Sequence, residues 1–202
     1  MLIKRKYSPI GSVLSLCIIL MGIFFYNCEN TITDSPVSIN YGVVINEINY
    51  RSSDLFNPED WLELHNPTNE TIAMGLWIFK DDDDGHVFTI PAGQILNPGQ
   101  YLILCEDTAA FKNYSMDIGN FVGNFGFGLK SEGDQVRLFD SSGLLVDKVE
   151  YDNIAPWPTE PDGAGSTLEL IHPSLDNALG ENWSSSIGSG TPGAENSVYD
   201  VE

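Results

Sequence analysis

From residue 43 onward the large apolar residues come in short β-branched and aromatic bursts, at 43–49, 61–65, 76–80, 87–90, 101–106, 135–139, 144–151 and 167–171. Runs this short, rich in Val, Ile, Tyr, Phe and Trp, suit strands and are too brief for most helices. Between them stand Asn66-Pro67-Thr68-Asn69, Asp84-Gly85, Asn97-Pro98-Gly99 and Ser141-Ser142-Gly143, whose Gly, Pro and Asx geometry reverses the chain. Strand and turn alternating at this spacing predict an all-β sandwich. Only 107–114, with Ala109, Ala110 and Phe111, suggests a helical turn or two, a minor ornament on the fold.

Within the bursts, period-two alternation assigns faces. Leu62 and Leu64 point to the core, and Trp61, Glu63 and His65 share the opposite face; Val136 and Leu138 point inward from 135–139. In 121–128, Phe121, Phe125 and Phe127 interleave with Gly123, Gly126 and Gly128, a pattern expected to lay rings over the sandwich edge without a regular strand.

The first residues bear on compartment. Lys4, Arg5 and Lys6 precede an uncharged apolar run from Ile10 to Tyr26, the order of an export signal. Cys28, directly after that run and followed by Glu29-Asn30-Thr31, stands where a bacterial lipoprotein carries its lipid, although Phe25-Tyr26-Asn27 departs from the usual small-residue pattern. Residues 1–27 are thus expected to be a lipoprotein-type signal or an uncleaved anchor, 28–40 a tether, 41–196 the β-sandwich and 197–202 a tail. The protein is expected to be exported and held at the cell envelope, with the cell surface as one location open to it. Cys17 reads as filler of the apolar run. Cys105, after Leu102-Ile103-Leu104, reads as a buried inert thiol, and no disulfide is required.

Removing residues 1–27 takes three of the nine Lys and Arg and none of the twenty-nine acids, which moves the net charge from −20 to −23. Six scattered cations cannot form the basic face that phosphate binding needs, so nucleic acid is excluded as a partner. The acidity suits solubility, cation attraction or basic partners.

The order of motifs is specific. Val44-Ile45-Asn46-Glu47-Ile48, then 60–67 (Asp-Trp-Leu-Glu-Leu-His-Asn-Pro), 88–93, 96–102, 133–140, Ser166-Thr167-Leu168-Glu169-Leu170, Asn182-Trp183 and 190–196 resemble, in sequence, the segments of a lamin tail domain from Tyr41 to Asn196. That resemblance implies an immunoglobulin-like β-sandwich serving as a binding or structural module, with no catalytic residues. Outside the sandwich only the signal, tether and tail are expected, which would leave function to the module's own surface.

Three sets of residues are candidates for that function. Asp81, Asp82, Asp83 and Asp84 offer the hard oxygens calcium prefers. As an EF-hand-like loop they fail, because Gly85 falls at the fifth place and Ala92 at the twelfth; Asp84-Gly85 also suits a two-residue hairpin, and a solvated acidic tip is favoured over a calcium-assisted adhesive domain. Glu47 and Glu63 lie on strands that can neighbour each other, so paired carboxylates allow hydrolysis, but structural acceptors are the commoner use. Trp157, between Pro156 and Pro158, with Glu160 and Asp162 after it, is the best contact candidate for a protein or polysaccharide. The reading favoured over that contact is that Trp157 and Trp183 plug an open end of the sandwich. His65, His86 and His172 stand singly, without zinc spacing, and no Gly-x-Ser-x-Gly elbow or phosphate loop occurs. The favoured expectation is a non-catalytic binding module without a cofactor.

Overall fold

The computed structural model describes residues 42–114 and 117–200. The expected signal or anchor, the tether and Cys28 lie outside the described residues. Among the described residues no helix is long and apolar enough to cross a membrane.

β1 (Val44–Asn49) runs antiparallel to β2 (Trp61–His65) on one side and to β11 (Leu168–Leu170) on the other. The sheet extends to β12 (Trp183–Ser185) beyond β11, and through β7 (Tyr101–Cys105) to β8 (Phe121–Gly123), giving the order β12-β11-β1-β2-β7-β8. A second sheet orders β10 (Leu145–Asp152), β9 (Gly133–Phe139), β4 (Ile78–Lys80) and β5 (Phe88–Thr89), and a small ribbon joins β3 (Ile72–Ala73) to β6 (Ile95–Leu96). The architecture is a β-sandwich, as the strand and turn pattern predicts, and of the immunoglobulin-like kind that the resemblance implies.

The core is filled by the alternation read from sequence. Leu62, Leu64, Val136 and Leu138 are fully buried and belong to one apolar cluster with Ile45, Ile48, Leu102, Leu104 and Leu168. Each such side chain contributes about 1.5–3 kcal/mol by leaving water. The sheets are tied where β1 begins: the Asp147 carboxylate on β10 accepts the Ile45 N–H at 2.7 Å, and the Asn177 amide donates to Asp147 at 2.8 Å.

Several local expectations need correction. The outer face of β2 is buried too: Trp61 packs with Ile103, Cys105 and Phe111 in a second apolar cluster. Phe111 comes from α1 (Thr108–Tyr114), so the short helix covers the sheet instead of decorating it. Asp107 caps it, accepting the Ala109 and Ala110 N–H groups at 2.7 and 3.1 Å and satisfying donors that a helix start leaves free. Phe121–Gly123 does form a strand, parallel to β7; Phe125 and Phe127 then turn into the main core against Phe79, with ring centroids 5.2 and 5.5 Å away. The strand expected from Leu76 starts only at Ile78, because Leu76 has φ 68° and is exposed. β3, β6 and β12 have no more than three residues each, too few for periodicity to reveal.

Candidate functional site

Register decides the fate of Glu47 and Glu63. They are direct partners across β1 and β2, and Glu169 is the partner of Glu47 across β1 and β11. Strands lie about 4.8 Å apart, so three carboxylates stand in a row on the outer face of the six-stranded sheet. All three are completely buried. The cover is the chain that follows β12.

Within that cover, the Thr191 N–H donates to Glu47 at 3.1 Å, the Gly193 N–H to Glu63 at 2.5 Å and the Val198 N–H to Glu169 at 3.2 Å. Hydroxyls add to this: Thr167 donates to Glu47 at 2.5 Å, Thr191 to Glu169 at 2.8 Å and Ser197 to Glu169 at 2.7 Å. A register shift between Ile45 and Glu47 places Asn46 beside them; its amide donates to Glu63 at 2.9 Å and to the side-chain oxygen Oδ1 of Asn196 at 2.8 Å. Asn196 returns donors to the Asn46 and Leu170 carbonyls. Ser197 and Val198, past the expected boundary at Asn196, thus join the sandwich.

No ion pair among the described residues includes these acids. Burial, and then the neighbouring Glu63 and Glu169, hold the Glu47 carboxyl well above the usual range. Burial pushes Glu63 up to about 8, against the Gly193 N–H and the Asn46 amide. A general acid or base must come within hydrogen-bond reach of substrate, and this pair is sealed from solvent with structural donors on it. The arrangement clamps the terminal segment onto the sheet. Gly190 makes the approach possible: it has φ +97°, and a Cβ there would run into the Glu47 carboxylate.

The four aspartates of the acidic run do not converge. β4 and β5 do pair as a hairpin, but the connection spans 81–87 and is not the two-residue turn expected. Asp81 and Asp83 build it, accepting the Asp83 and Gly85 N–H groups at 2.9 and 2.7 Å. Asp81 also meets His86 Nδ1 at 2.7 Å, Asp82 pairs with Lys130, and Asp84 pairs with Arg137 at 3.0 Å and Lys80 at 3.5 Å. The acids that can approach one common point are Asp81, Asp82 and Asp134, while Asp83 and Asp84 are committed elsewhere.

Trp157 is not an exposed contact. Its ring is buried, 6.0 Å from the Trp183 ring and against Gly180, where a Cβ would press on the indole at 3.1 Å. The plug reading describes this geometry, since two adjacent indoles close the apolar cluster while Trp183 Nε1 donates to the Asn177 carbonyl at 2.9 Å. Asp162 is held by Arg51 at 2.7 Å and Asn153 at 3.1 Å, and Glu160 accepts from Ser185 at 2.9 Å. The loop is tied to its own domain.

Sequence reasoning missed a groove of about 580 Å³ at the end of the sheet where β1 starts. Two histidine–tyrosine pairs line it. His65 stacks on Tyr101 at 4.3 Å and 14°, and His172 lies 5.0 Å from Tyr199, with the phenol oxygen 3.1 Å from Nε2. Burial lowers His65 to about 4, so it is neutral at physiological pH, and raises the Tyr101 phenol to about 12. The carboxylate on the lining is Glu195. The His65–Tyr101 pair follows from cross-strand register, but the His172–Tyr199 pair needs the terminal segment in place, which no local pattern announces.

The Lamin Tail Domain family model matches residues 36–153. The match ends before β11, short of the resemblance read through Asn196. Among solved structures, a DUF4876 family protein from Bacteroides thetaiotaomicron is similar at 13% identity and a TM-score of 0.40, covering 56% of this chain and 54% of that chain. The chain therefore spans about half the length of that protein. No curated protein matches.

Proposed function

The chain belongs to the Lamin Tail Domain family, and from that premise we propose that it is a non-catalytic binding module of the bacterial cell envelope that takes an uncharged polysaccharide in its histidine–tyrosine groove. The observation that carries this reading is the pairing of two half-buried aromatic patches, His65–Tyr101 and His172–Tyr199, across one groove. Sites of this kind combine apolar faces with a few polar groups that fix orientation. A sugar ring offers the same combination, an apolar face and a hydroxyl edge. With His65 neutral, little in the lining attracts a polyanion, which the net charge of −20 would also repel.

Affinity electrophoresis through gels containing neutral β-glucan, mannan or xylan tests it. At least one polymer should retard the protein, and Tyr101→Ala with Tyr199→Ala should abolish the retardation. Migration unaffected by every polymer would sink the idea. The envelope part of the proposal rests on Lys4, Arg5 and Lys6, the apolar run and Cys28. Mass spectrometry of the mature N-terminus should find an acylated Cys28, and Cys28→Ser should release the protein from membranes.

A further inference from the structure

At the other end of the sandwich, where β1 finishes, three segments are bound to one another: the loop after β1, the loop of residues 153–167 and the end of β12. The Gly163 N–H donates to the Arg51 carbonyl at 3.3 Å, Arg51 pairs with Asp162, and Ser185 donates to Glu160. Between the segments lies a groove of about 540 Å³ lined by Ser53, Glu160, Ser166, Ser185, Ser186 and Ser189. The Ser166 hydroxyl is buried and has no hydrogen-bond partner among the described residues, a state that is costly to a fold.

The most exposed large apolar side chains among the described residues stand on the segments that line this groove. Leu55 is 98% exposed and precedes Phe56 of the lining; Ile187 is 77% exposed and sits between Ser186 and Gly188. Single exposed aliphatics are ordinary on protein surfaces. Here each is a chain neighbour of lining residues, so the groove has serine hydroxyls and Glu160 along its wall and an exposed aliphatic side chain next in sequence on two of its segments.

We propose that this end docks an extended segment of a protein partner whose aliphatic side chains cover Leu55 and Ile187, whose backbone meets the serine hydroxyls, and which carries a lysine or arginine toward Glu160. The chemistry selects among occupants. A glycan stacks on aromatic faces, and the one ring lining this groove, Phe56, is engaged at 4.3 Å with Tyr114. Anionic lipid attracts basic segments, whereas Asp54, Glu160 and the overall charge oppose it. Two copies of the chain would each bring a charge of −20, and the same charge favours a basic partner.

The full chain, held in detergent, can be panned against a phage-displayed library of random linear peptides. Enriched peptides should combine aliphatic and basic residues. Their affinity should fall about tenfold or more in Leu55→Ser/Ile187→Ser, fall less in Glu160→Gln, and remain unchanged in Tyr101→Ala, whose groove lies at the opposite end. The serine variants replace exposed side chains, so an unchanged melting temperature verifies their fold, and each single substitution is measured as well. The proposal is overturned if no such peptides emerge or if they bind the double variant equally well. It is overturned equally if Leu55 and Ile187 prove to be required for sedimentation with phosphatidylcholine vesicles, or for a dimer detected by light scattering.

Discussion

The molecule holds two groups of carboxylates that obey opposite rules. Glu47, Glu63 and Glu169 are completely buried, joined by hydrogen bonds from Thr167, Thr191, Gly193, Ser197 and Val198 and accompanied by no cation in any described ion pair. Along 81–84 the carboxylates of Asp82 and Asp84 are exposed and meet Lys130, Arg137 and Lys80. Burying a carboxyl group is expensive unless hydrogen bonds replace the lost hydration, and burial raises Glu47 and Glu63 toward their neutral form, so the first group has to be tightly hydrogen-bonded to exist at all. The second group keeps its water, and its ion pairs are worth little. The cluster that is loud in the sequence is therefore the weaker one energetically, and the quiet one fastens the end of the chain.

Removing the centre of the buried row is the strongest attack on this contrast. Glu47→Ala leaves the Thr167 hydroxyl and Thr191 N–H without their acceptor and opens a cavity, which should cost about 4 kcal/mol and lower the thermal midpoint by about 10 °C. A drop of only a degree or two in calorimetry would place the row on the same footing as the acidic turn. Gly190→Ala comes next. It forces a side chain into the left-handed region and into the Glu47 carboxylate, for about 2 kcal/mol, and limited proteolysis should then cut after β12 in the variant before the rest of the domain.

How far the sequence reached can be judged on these residues. The alternation of Leu62-Glu63-Leu64 assigns faces correctly because a pleated strand has a period of two, whatever surrounds it. The side-by-side placement of Glu47 and Glu63 was likewise open to inspection. Glu169 joins them only through the pairing of β1 with β11, some 120 residues away in sequence, and the donors arrive on a segment without regular structure; no period encodes either. Trp61 was assigned its face but not its burial, because the cover comes from Phe111 on a helix whose docking no local pattern specifies. Trp157, among prolines in a loop, can be read locally as an exposed contact, but its aromatic bulk favours a plug with Trp183, and Trp183 and Gly180 do stand against it.

Titration separates the two groups with a smaller effect. Glu63 lies near 8 in the folded protein and Asp60, also raised by burial, near 7, both above the values they return to on unfolding. The folded state therefore holds the extra protons, and the stability these groups contribute is complete below their unfolded values and is lost as pH rises through about 7 and 8. His65, lowered to about 4, acts in the opposite sense but only below its ordinary value near 6.5. Between pH 6.5 and 8.5 urea titrations should show stability falling, by up to about 1.4 kcal/mol per pH unit for each group. Glu63→Gln should flatten that slope while removing one acceptor, from either Gly193 or Asn46. A slope unchanged in the variant would mean that the row is ionised throughout.

The acidic turn supplies the smallest expected change. Lys130 beside Asp82, and Arg137 with Lys80 beside Asp84, hold those carboxyls below the usual range, but both groups are solvated and such pairs are screened by salt. Asp82→Asn with Asp84→Asn should move the thermal midpoint by less than about 2 °C. Calcium sharpens the test, since an ion bound to the native state must raise the midpoint in proportion to its occupancy. With Asp82 engaged by Lys130, and Asp83 and Asp84 turned to Gly85 and Arg137, millimolar calcium should leave the wild-type midpoint where it was. A rise of several degrees that disappears in the double variant would show that Lys130 yields its place to a cation, and that the turn, like the buried row, is a site in which carboxylates are gathered for a purpose.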